Sequence, residues 1–182
     1  MERTVILSER EGNENDPQFQ LGELVQKASY QNHPYRNEVL SRIHRFRSTN
    51  EKGLFALAKD IARLTADSID IAALQEIAAP PKGEKWGSLK SLEKVLATVC
   101  KPEEARHALT SLVGTYQLRL ADAHLPGSEL AEAMKLAGID SSSPVLHQGQ
   151  ALIANCASAA MAIATLLERL TKSENNKGDK NG

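Results

Sequence analysis

The sequence predicts an all-α fold, an up-and-down helical bundle, on three observations. Apolar residues recur at helical spacing over most of the chain, no strand-period alternation persists anywhere, and Pro, Gly and Asn punctuate the periodic segments where helices would start and stop. A length of 182 residues suits one domain with a core of its own, and 41% hydrophobic against 25% charged residues is ordinary globular usage. The expected organisation is an N-terminal arm over 1–16, a single bundle over 17–172 and a disordered C-terminal tail over 173–182.

The arm opens on Val5, Ile6 and Leu7 and then turns polar. Asp16-Pro17 supplies an N-cap and a first-turn proline for a helix carrying Phe19, Leu21, Leu24 and Val25. After the break at His33-Pro34, a basic helix over 35–47 carries Val39, Leu40, Ile43 and Phe46 on one face. Asn50 can cap the next helix, whose Leu54, Leu57, Ala58, Ile61 and Leu64 must pack on a partner. A short helix over 69–77 follows, ending at the linker Ala79-Pro80-Pro81-Lys82-Gly83. Trp86, the one tryptophan, is expected to anchor that linker on the bundle.

Ser88 is expected to cap a helix with Leu89, Leu92, Val95, Leu96 and Val99 on its buried face. Pro102-Glu103-Glu104 places proline and acid in the first turn of another, where the dipole favours negative charge. Its stripe of Ala105, Leu109, Leu112, Val113, Tyr116 and Leu120 runs on until Pro126-Gly127, so the helix should stop near Leu125. A short helix over 128–136 is closed by Gly138. The last helix, about 145–170, buries Leu152, Ile153, Cys156 and Ile163, and its many alanines let neighbouring helices come close, as in a core or dimer helix. The tail from Ser173 is too polar to bury apolar surface.

Charge and cysteine usage exclude several function classes. With 22 Lys+Arg against 23 Asp+Glu the net charge is -1, so any nucleic-acid contact must be local. The best local stretch holds Arg42, Arg45 and Arg47, which would be RNA contacts or a solvated helix face. Cys100 and Cys156 lack metal-ligand spacing and read as buried thiols, so no metal or other cofactor is expected. The Gly-x4-Gly-Lys-Ser phosphate loop is absent. Three consecutive apolar residues do not make a signal core, and no unbroken run of roughly 18 apolar residues occurs, so a cytoplasmic protein with no membrane partner is expected.

Titratable groups cluster beside a helix break in Tyr116-Gln117-Leu118-Arg119-Leu120-Ala121-Asp122-Ala123-His124-Leu125-Pro126. Arg119 and His124 form an Arg-x4-His pair that resembles the signature of the HEPN superfamily, small helical bundles that commonly dimerise. With Gly87 onward and the long last helix, the resemblance covers about half the chain. It implies metal-independent RNA cleavage, in which the ribose 2′-hydroxyl attacks the adjacent phosphate and leaves a cyclic phosphate end. His124 would move the proton, Arg119 would clamp the phosphoryl oxygens, and Asp122 would serve as the polar neighbour, because Leu120 stands directly after the arginine. A toxin or defence ribonuclease acting as a homodimer, with an antitoxin or larger-complex partner, is the expectation that follows. On an ideal helix, positions five apart point about 140° away from each other, so either the helix unwinds before His124 or the site is composite across a dimer axis. The same residues admit a non-catalytic alternative: Arg119 pairs with Asp122, His124 satisfies the last carbonyls, and the chain is a helical dimerisation or RNA-, nucleotide- or partner-binding module.

Overall fold

The computed structural model describes residues 48–120 and 127–178, and it is an all-α helical bundle with no strand among those residues. Six α-helices are described: α1 (Glu51–Leu64), α2 (Ile71–Ile77), α3 (Ser88–Leu96), α4 (Pro102–Leu118), α5 (Gly127–Leu136) and α6 (Val145–Gly178), with a 3₁₀ turn at Ala66–Ser68 between α1 and α2. The expected arm, the two expected helices before Ser48, and Arg42, Arg45 and Arg47 lie outside the described residues.

Local chemistry sets most boundaries. Asn50 caps α1, its Oδ1 accepting from the Gly53 amide at 2.8 Å. Asp70, not Ile69, sits at the start of α2, because its carboxylate accepts from the Ala73 amide at 3.1 Å. In the linker, the Glu84 amide donates to the Pro81 carbonyl at 3.0 Å with Gly83 at φ +92°, a turn that only a residue without Cβ adopts at no cost. The Trp86 ring is half-buried, its Nε1 donates to Glu84 at 2.8 Å, and its carbonyl accepts from Gln75 of α2. Ser88 is not the cap of α3: Gly87 holds that position with no side-chain hydrogen bond, which leaves Ser88 as the first helical residue. Pro102 opens α4 as expected.

α4 is the central helix, in contact with α1, α3, α5 and α6. Leu109 and Leu112 fill its buried face, and Leu118 closes it, against Leu54 and Ile61 of α1, Leu96 of α3 and Leu152, Ile153 and Cys156 of α6. Burying side chains of this size contributes about 1.5–3 kcal/mol each relative to exposure. Gly114 lets α5 close onto α4: a Cβ there would lie 2.6 Å from the Leu136 carbonyl carbon and 2.7 Å from the Ala133 oxygen. Gly138, at φ +71°, ends α5, and Asn155 of α6 donates to the Ala137 and Gly138 carbonyls at 3.0 Å each.

Three helix ends differ from expectation: α3 stops at Leu96, so Val99, expected on its buried face, lies beyond the helix. α4 ends at Leu118 and not near Leu125, because the Arg119 amide makes the last bond to Thr115 and the Leu120 amide closes a tighter turn onto Gln117. Leu120 therefore leaves the buried stripe and is 48% exposed. α6 continues to Gly178, past both the expected end at 170 and the bundle boundary at 172, with no Pro or Gly between Leu170 and Gly178 to stop it. Within Val145–Leu170 the mean hydropathy of an 18-residue window reaches 1.6, so by length and composition this helix could cross a membrane, although Gln148, Gln150 and Asn155 break the apolar run. Here 39% of that window is buried, against α1, α3 and α4, while Leu146 and Met161 face outward.

Candidate functional site

Arg119 is the one predicted catalytic residue within the described structure; His124 and Asp122 lie outside the described residues. It stands at the C-terminal end of α4, one residue after the fully buried Leu118, so the backbone that carries it is anchored in the core. Tyr116, three residues earlier, shares its side of the helix. The guanidinium carbon lies 4.0 Å from the centre of the Tyr116 ring, and Nη2 donates to the Tyr116 hydroxyl at 2.8 Å.

The anion facing Arg119 comes from the 3₁₀ turn that follows α1. Both Asp67 carboxylate oxygens accept from Nη1, Oδ1 at 2.6 Å and Oδ2 closer still. Asp67 sits in the 3₁₀ turn after α1, which is pinned by Thr65 Oγ1 to the Ile61 carbonyl at 2.8 Å, Ser68 Oγ to the Arg63 carbonyl at 2.5 Å, and Ala66 buried in the core. The Arg119 and Asp67 side chains keep 23% and 34% of their surface, so the pair is partly solvated. A guanidinium has five N–H donors. Nη1 donates to the Asp67 carboxylate and one Nη2 proton to Tyr116, so Nε–H and the second Nη2 proton have no acceptor among the described residues.

α4 ends at Leu118 with Arg119 as its C-cap, and the position of His124 relative to Arg119 lies outside the described residues. Arg119 pairs with Asp67, 52 residues away in sequence; Asp122, the partner that the sequence suggested, lies outside the described residues. No local pattern pointed to Asp67. Tyr116 was legible only as part of the buried stripe of α4, although its spacing from Arg119 could have signalled the stack.

Beside Tyr116, between α3 and α4, lies an open cavity of about 280 Å³. Leu109, Val113 and Tyr116 form its apolar wall, and Lys90, Glu93 and Arg106 stand around it. Glu93 pairs with both cations, Lys90 Nζ at 3.0 Å and Arg106 Nη2 at 3.6 Å.

Both cysteine thiols are shifted away from the thiolate form. Cys156 is buried, and burial pushes its thiol up to about 11. Thr115 donates its one hydroxyl proton to the Ser111 carbonyl at 2.7 Å, so the Cys156 thiol is the donor in the 3.1 Å contact between them. Cys100 is half-buried, and its thiol is raised by burial and by the Glu104 carboxylate. No group of three or more His, Cys, Asp or Glu among the described residues is placed to hold a metal ion. Compared with family models, curated proteins and solved structures, the chain finds no match.

Proposed function

We propose that this chain is a HEPN-like helical domain that cleaves RNA without a metal ion, as part of a toxin or defence system. The observation that carries the reading is the setting of Arg119: a guanidinium fixed at a helix end, stacked on an aromatic ring, partly solvated, with N–H donors left over among the described contacts. Such a planar donor set suits two phosphoryl oxygens as charge builds on them, which a point-charge ammonium does not reproduce.

In this mechanism the 2′-hydroxyl attacks the neighbouring phosphorus, the P–O5′ bond breaks, and the products are a 2′,3′-cyclic phosphate and a 5′-hydroxyl. His124 moves the proton, Arg119 holds the phosphoryl oxygens, and Asp122 is the polar neighbour of the pair. Arg42, Arg45 and Arg47 extend the contact along the RNA backbone. The test is incubation of the purified protein with mixed RNAs in EDTA, scoring cyclic phosphate ends. His124→Ala should lower the rate by roughly 10²–10⁴-fold with helical content intact. Absence of cleavage by the wild type, or undiminished cleavage by His124→Ala, overturns the assignment.

A second reading, a non-catalytic dimerisation module, is favoured by α6, where the apolar side chains Met161 and Leu146 are 51% and 44% exposed. A homodimer through α6 follows from it, and sedimentation at micromolar concentration decides between dimer and monomer.

A further inference from the structure

We propose that the cavity between α3 and α4 seats one unstacked nucleoside of a single-stranded RNA, next to the phosphate held by Arg119; this rests on the RNA reading above. Three observations carry it. First, the cavity of about 280 Å³ is apolar on one side, through Leu109, Val113 and Tyr116, which suits the face of a base.

Second, the charge around it is net positive. Lys90 and Arg106 share the single carboxylate of Glu93, which leaves one positive charge uncompensated within this trio. On a protein of net charge -1 this is a local attraction for a phosphodiester rather than a general one. The Arg106 and Lys90 side chains are 70% and 44% exposed, free to swing towards a backbone.

Third, Tyr116 belongs to both places. Its ring lines the cavity, and the guanidinium of Arg119 lies 4.0 Å from the centre of that ring. A phosphate on Arg119 and a base against Val113 and Tyr116 therefore lie on adjoining ground, as neighbouring parts of one nucleotide do. Val113 is half-buried and Arg106 exposed, so both can be changed without opening the core.

The experiment measures anisotropy of a fluorescein-labelled 2′-O-methyl oligouridylate, which lacks the free 2′-hydroxyl and cannot be cleaved. Affinity is thus read whether or not the protein is a nuclease. Val113→Glu and Arg106→Glu should each weaken binding by roughly ten-fold or more. Glu93→Gln should tighten it by roughly 2–5-fold at low salt, a gain that a merely structural role for Glu93 would not give. Helical content of each variant is checked by circular dichroism, and the exposed Arg106 site keeps the test valid should Val113→Glu fail to fold. No binding by the wild type overturns the proposal. So does an Arg106→Glu protein that binds as tightly as wild type, even if the wild type cleaves RNA. Competition by uridine 5′-monophosphate at the same concentration as unlabelled oligonucleotide overturns the RNA assignment in favour of a mononucleotide site.

Discussion

Replacing Gly114 by Ala separates helix propensity from packing, because the two effects have opposite signs at this position. Alanine favours a helix interior by about 1 kcal/mol over glycine, so α4 in isolation would be strengthened. In the folded protein the new Cβ would stand 2.6 Å from the Leu136 carbonyl carbon and 2.7 Å from the Ala133 oxygen, and nearer still to the Ala137 nitrogen. Non-bonded carbons rest at about 3.5–4.0 Å, so α5 must move away by roughly 1 Å. All three obstructing atoms are backbone, and the segment they belong to is held by Asn155 at its carbonyls, so no side chain can swing aside to relieve the clash. Overpacking of this kind costs about 1–3 kcal/mol or more, and the upper end applies here. The net expectation is a loss of about 2 kcal/mol, or a fall in Tm of about 4–8 °C for a chain of this size. Urea unfolding followed by circular dichroism measures it, with Gly127→Ala as the control, since nothing lies within 4 Å of a Cβ at that position. A Gly114→Ala protein as stable as Gly127→Ala would refute the close approach of α4 and α5.

Four further outcomes are expected. Asn155→Ala removes both donors to the end of α5 and should cost about 1–2 kcal/mol in urea, most of it from the part-buried Ala137 carbonyl; an unchanged midpoint would mean water replaces the amide. A chromogenic disulfide reagent should label Cys100 in the native protein and Cys156 only on unfolding. Because burial raises the Cys156 thiol from 9.0 to about 11, the folded state keeps a proton that the unfolded chain releases; its stabilising effect is complete below pH 9 and is lost as pH rises towards about 11, and a Cys156→Ser variant should lack that part of the alkaline slope. Arg119→Lys should abolish RNA cleavage in the EDTA assay while preserving helical content, because an ammonium cannot keep the Tyr116 stack, the Asp67 pair and a phosphate together; retained activity would show that only the charge matters.

The fold class, and the helices at whose ends the deciding residue is local, were legible in the sequence. Asn50, Pro102 and Gly138 act through hydrogen bonds and backbone angles within a few residues, so their roles read directly from neighbours in the chain. The buried stripes of α1, α3 and α4 are likewise a matter of helical period, as Leu54, Ile61, Leu92, Leu96, Leu109 and Leu112 bear out. What only the tertiary structure decided involves residues far apart in sequence. The end of α4 at Leu118, and with it the exposure of Leu120, does not follow from Pro126, which marks where a helix can no longer run and not where it stops. The Asp67 partner of Arg119 lies 52 residues away and arrives through the packing of α1 and its 3₁₀ turn against α4. Gly114, which no local pattern singles out, is the contact surface on which α5 rests. Period and capping depend on atoms a turn apart along one helix, whereas ion pairs and backbone contacts between helices depend on how the whole bundle closes.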